Sequence, residues 1–125
     1  MIEQKKEYEI LVHSSLPILR EGLEFFFENS PFKVALSYQD LSRDLMHKIK
    51  PDLAAIILLA DEADADFGLC HKIRLFSEGT PILIIMPEAP AAYFKYLNEM
   101  DDVHLLIEPF DGEKFNRVMD GILNL

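Results

Sequence analysis

Cysteine is nearly missing from this sequence: Cys70 stands alone, which excludes an internal disulfide. It falls inside a helical pattern and reads as a buried structural thiol. Long apolar runs are missing too. The longest, 53–60 and 81–87, hold eight and seven residues, far short of the roughly 20 that a membrane span needs. Residues 1–9 are polar and charged, without the apolar stretch of a secretory signal. A cytoplasmic protein with no membrane contact is the expectation. Basic residues are scarce, 12 against 22 acidic ones, for a net charge of -10. No basic patch stands out, which argues against direct nucleic-acid binding, because phosphate contacts need clustered Lys and Arg. No glycine-rich phosphate loop and no Ser-His-Asp order is found. The histidines His13, His47, His71 and His104 show no spacing typical of zinc ligands. No repeat, low-complexity segment or Pro/Gly-rich linker divides the chain, so 1–125 reads as one domain.

What is present is hydrophobic pattern, in half of all residues. The segments 8–13, 32–37, 53–59, 80–86 and 103–107 read as strands. Residues 53–59 and 80–86 are continuously apolar, as expected of central strands covered on both faces. Helices are predicted over 18–28, 40–50, 68–75, 91–100 and 111–125. Ser15 is a plausible N-cap for the first, Pro17 suits its first turn, and Leu19, Gly22, Leu23 and Phe26 mark its buried face. Leu41, Leu45, Met46 and Ile49 line the second, which Pro51 stops. Leu69, Cys70 and Ile73 face inward from the third. Asp111 caps the last, whose stripe is Phe115, Val118, Met119 and Ile122. Five alternations of strand and helix imply a doubly wound parallel α/β sheet, with any chemistry at the carboxyl ends of the strands.

The residues ILVHSSLPILREGLEFFFE, KPDLAAIILL, TPILIIM and EPFDGEKF occur in that order across nearly the whole chain. Together they resemble the receiver domain of two-component response regulators, in the subfamily attached to helix-turn-helix output domains. The resemblance implies a flavodoxin-like (βα)5 fold with strand order 2-1-3-4-5. It also implies a reaction, phosphoryl transfer from a histidine kinase to an aspartate. That chemistry needs a carboxylate nucleophile, Mg²⁺ on hard oxygen ligands, a hydroxyl and a lysine.

By the same resemblance, each of those positions is filled by the wrong chemistry. The acidic pair falls on Ser14 and Ser15, and the phosphoacceptor on Ile57, six residues after Pro51. The hydroxyl falls on Met86, the lysine on Glu108, and the switch aromatic on Leu105. Between Pro51 and Arg74 the chain is one residue longer than the family's common spacing, a difference assigned to the loop 60–67. Glu108 is expected to turn inward to Ser14, Ser15 or backbone amides. Ile57 and Met86 are expected to close the floor, and Glu108-Pro109 to be cis like the family's Lys-Pro bond.

Other candidates carry less. Asp61, Glu62, Asp64 and Asp66 form an acidic loop, read as a solvated surface, with a cation site or displaced acceptor at Asp61 as the sharper alternative. Tyr93, Phe94 and Tyr96 crowd one short helix, and residues so spaced diverge around it. One or more of them, and Phe25, should be exposed. In the resembled family, the fourth helix, fifth strand and last helix form the usual dimer surface. Tyr93, Tyr96 and His104 are therefore the expected interaction face. The expectation is a non-enzymatic pseudo-receiver without cofactor or metal, binding a signalling protein or its own output domain as a homodimer. A phosphotransfer domain using Asp61 and an unrelated flavodoxin-like ligand-binding domain are the rival readings.

Overall fold

A computed structural model describes residues 7–14, 17–41, 52–59, 63–87 and 99–124, with backbone alone at 17–18 and 63–67. The elements are β1 (Glu7–His13), α1 (Pro17–Glu28), β2 (Lys33–Tyr38), β3 (Ala55–Leu59), α2 (Ala63–Phe76), β4 (Ile82–Met86), β5 (Val103–Ile107) and α3 (Gly112–Leu123). The five strands form one parallel sheet in the order β2-β1-β3-β4-β5. The helices expected over 40–50 and 91–100, and Ser15 as N-cap, fall almost wholly outside the described residues.

Every residue of β3 and β4 is buried, because both sheet faces are covered. On one face, Leu23 and Phe27 of α1 and Phe115, Met119 and Ile122 of α3 pack on Ile10, Val12, Ile57, Leu59, Leu83 and Ile85. On the other, Leu69, Cys70 and Ile73 of α2 pack on Leu11, Ile56, Leu58, Ile84 and Met86. Alternate strand residues point to opposite faces, so one sequence run supplies both cores.

Three expectations are corrected. The acidic segment 61–66 is not all loop, since α2 begins at Ala63. Alternating alanines favour helix, and aspartates suit the positive end of the dipole. On α1, Phe27 is buried while Gly22 is exposed, so the inward stripe lies slightly further round the helix than its apolar spacing indicates. β2 runs one residue further, to Tyr38, which pairs with Val12.

The limits of β5 agree with the sequence reading, and α1 begins at Pro17, one residue before the helix read over 18–28. In α3, Asp111 accepts a hydrogen bond from the Lys114 amide at 2.8 Å. Asn124 closes that helix in the left-handed region at φ 59°, a conformation Asn tolerates better than most residues.

Candidate functional site

The carboxyl ends of β1, β3, β4 and β5 bring Ser14, Leu59, Met86 and Glu108 to one end of the sheet. Ser14 is buried, and its carbonyl oxygen accepts from the Arg20 guanidinium at 2.7 Å. The β1–β3 register pairs Val12 with Ile57 and His13 with Leu58. One step further places Leu59 abreast of Ser14. Ile57 lies two residues inside the strand, also paired with Leu83, with no exposed surface. β3 runs two residues further, to Leu59. Both side chains are hydrocarbon.

The expected floor is also corrected. Ile57 belongs to the core under α1 and α3, whereas Met86 belongs to the core under α2. Strand alternation puts them on opposite faces, so they cannot close one floor together. Leu59 and Ile85 do so instead. With Leu19, Leu23 and Phe26 of α1 and Phe110 of the β5–α3 loop, they line a cavity of about 130 Å³, with Gly22 and Glu108 completing the wall.

Glu108 does not turn inward. Its residue is exposed, and among the described residues no donor meets its carboxylate. The physical reason is local: the space beneath is lined by hydrocarbon, while solvent hydrates the charge at no cost. The Glu108 amide still donates to the Met86 carbonyl oxygen at 2.9 Å, and Glu108-Pro109 is cis, as the resemblance implies. The loop is held from the other side by aromatic contacts. The Phe110 ring centroid lies 4.8 Å from that of Phe26, and Phe115 sits 5.3 Å from Phe26 and 5.0 Å from Phe27.

Magnesium does not fit the described residues here. It demands about six oxygen ligands in near-octahedral array, and the described residues at these strand ends offer a serine and one solvated carboxylate. Among the described residues no group of three or more His, Cys, Asp or Glu side chains could hold a metal. Asp61, Glu62, Tyr93 and Tyr96 lie outside the described residues, as does the side chain of Asp64. Leu105 is half-buried against the α2-side core. His104 is part-exposed on β5, its Nε2 at 2.7 Å from Asp102 Oδ1.

Two arginine arrangements escape sequence reasoning. The Arg20 guanidinium, besides holding Ser14, stands 5.1 Å from the Tyr38 ring centroid, and the Tyr38 hydroxyl donates to Glu24 at 2.6 Å. Burial, the Glu24 hydrogen bond and the Glu24 charge push the Tyr38 phenol well above its ordinary pKa, against the opposing charge of Arg20. At the opposite end of the sheet, Arg74 donates to the carbonyls of Ser77, Thr80, Asp101 and Asp102. The sequence places Arg20 in the first helix, and it does not say what the side chain touches.

No family model and no curated protein matches the sequence. Solved structures do match by shape. The chemotaxis response regulator CheY4 of Vibrio cholerae superposes with a TM-score of 0.70 at 16% identity, over 94% of this chain and all (100%) of its own. The receiver domain of a Pseudomonas aeruginosa sensor histidine kinase, solved with magnesium coordinated in its active-site cleft, gives 0.70 at 17% identity, over 96% of this chain and 100% of its own. A putative pilus assembly-related protein from Burkholderia pseudomallei gives 0.77 at 11% identity, over 94% of this chain and 90% of its own. With the strand order β2-β1-β3-β4-β5 and helices on both faces, this chain has the fold of the response-regulator receiver domains.

Proposed function

We propose that this chain is a pseudo-receiver: a receiver-fold signalling module that works through protein contacts and accepts no phosphoryl group. One observation carries the reading. Ile57, where the resemblance puts the phosphoacceptor, and Leu59 at the end of the same strand are both hydrocarbon, while Glu108 stands where the resembled family has its lysine. A hydrocarbon cannot be phosphorylated, and a carboxylate repels phosphoryl oxygens that a lysine would neutralise. The magnesium-coordinating cleft described for the Pseudomonas domain needs oxygen ligands that the described residues do not supply.

The partner is a signalling protein or an output domain of the same chain, in a cytoplasmic setting. Self-association uses β5, α3 and the segment 91–100, with Tyr93, Tyr96 and His104 in contact. His104 is part-exposed on the edge strand β5, which supports a place for it at such a contact.

Incubation with acetyl phosphate and Mg²⁺, followed by intact mass, tests the reading. No adduct is expected. An adduct mapped to Asp61 would establish a displaced acceptor instead. Light scattering behind size-exclusion chromatography tests the dimer, and a monomer at high concentration would remove it.

A further inference from the structure

We infer that the cavity at the carboxyl end of the sheet is a binding site for a compact arylalkylamine, with the ring inside and the ammonium beside Glu108. This goes beyond the pseudo-receiver reading and stands on the cavity alone.

Size sets the ring. The cavity measures about 130 Å³, and a cavity of roughly 150 Å³ lined by Leu, Ile and Phe holds benzene. Lining sets the polarity. Leu19, Leu23, Phe26, Leu59, Ile85 and Phe110 present hydrocarbon and ring surface, and a ligand with polar groups at its centre would find no partner there. Phe26 and Phe110, 4.8 Å apart between centroids, offer ring faces and edges suited to an aromatic guest.

Charge sets the other end. Glu108 is the one charged residue in the described lining, and no donor among the described residues meets its carboxylate. An ammonium at the mouth would pair with it, whereas a carboxylate guest would be repelled. Gly22 leaves the approach open. It shares the α1 stripe of Leu19 and Phe26, at helical spacings of three and four, and a Cβ built on it meets no atom within 4 Å.

Benzylamine, benzoate and methylamine titrated into the isotope-labelled chain 1–125 test the site by amide and methyl NMR. Benzylamine should give saturable shifts at Leu19, Leu59, Ile85 and Phe110. Benzoate lacks the cation and methylamine the ring, so both should bind clearly more weakly. Glu108→Gln, at an exposed position, should weaken benzylamine about threefold, the scale of one solvent-exposed ion pair. Gly22→Leu, which puts a better helix former on the lining stripe, should abolish the shifts. Absence of saturable shifts, equal binding of benzoate, shifts remote from the cavity, or unchanged binding by Gly22→Leu would each overturn the inference. A phosphoryl adduct with benzylamine binding intact would remove the pseudo-receiver reading and leave this site standing.

Discussion

Arg20 donates to the Ser14 carbonyl oxygen at 2.7 Å, so the first helix holds the end of the first strand by a charged hydrogen bond. The same guanidinium faces the Tyr38 ring, which ties the end of β2 into the arrangement. Strand ends in this fold are where a site forms, and here one of them is fixed by an arginine that faces no carboxylate pair at 14–15.

Arg20→Ala should therefore destabilise the protein by about 1–3 kcal/mol, combining a charge-assisted hydrogen bond with stacking on an aromatic face. Arg20→Lys should recover only part of this, because an ammonium lacks the planar fork. Urea unfolding followed by circular dichroism measures both. Equal stability of Arg20→Ala and wild type would mean that the contact contributes nothing.

The register makes a differential prediction. Ile57→Asp places a carboxylate in the middle of a fully buried strand and should cost more than about 4 kcal/mol, enough to unfold a marginal domain. Leu59→Asp, at the strand end beside the cavity, should cost clearly less and leave a folded protein. Thermal unfolding decides between them, and the reverse order would count against the deeper burial of Ile57. Neither variant should be phosphorylated by acetyl phosphate, since the lysine position remains Glu108.

Tyr38 should show itself in alkali. Its phenol is raised in the folded protein above the ordinary value of 10.0, so between the unfolded and folded pKa values the native state holds a proton that the unfolded state has lost. Its contribution to stability is complete below about pH 10 and declines as pH rises above it. Tyr38→Phe should flatten that alkaline decline while costing about 0.5–1.5 kcal/mol at neutral pH through the lost Glu24 hydrogen bond. Denaturant unfolding from pH 8 to 11 measures the slope, and identical slopes for the two proteins would count against the raised phenol.

Arg74, half-buried, is expected to matter to stability. Its guanidinium serves four backbone carbonyls, of Ser77, Thr80, Asp101 and Asp102, at the points where the chain enters β4 and β5. Asp102 is held there at a positive φ of 55°. Arg74→Ala should cost about 2–4 kcal/mol by leaving those carbonyls with one partner fewer, and Arg74→Met should not restore it. Chemical unfolding measures the loss, and amide exchange should quicken first at 101–103.

The sequence by itself determined the five strands, the two fully buried ones among them, the cap at Asp111 and which side chains stand at 14, 57, 86 and 108. These are local properties: apolar period, turn residues and the presence or absence of a functional group at a stated position. Tertiary structure alone decided which of those positions meet. Whether Ile57 or Leu59 stands beside Ser14 depends on how β3 slides against β1, and a shift of two residues keeps every side chain on its face, so the apolar pattern cannot distinguish the two. The same holds for Met86, which shares the strand end with Leu59 yet belongs to the opposite core. Glu108 stays in solvent because the hydrocarbon that lines the site comes from α1, β3, β4 and the β5–α3 loop together. Arg20 and Arg74 find their carbonyls only once the strands are laid side by side, since long flexible side chains carry no periodic signal and their partners are fixed by packing.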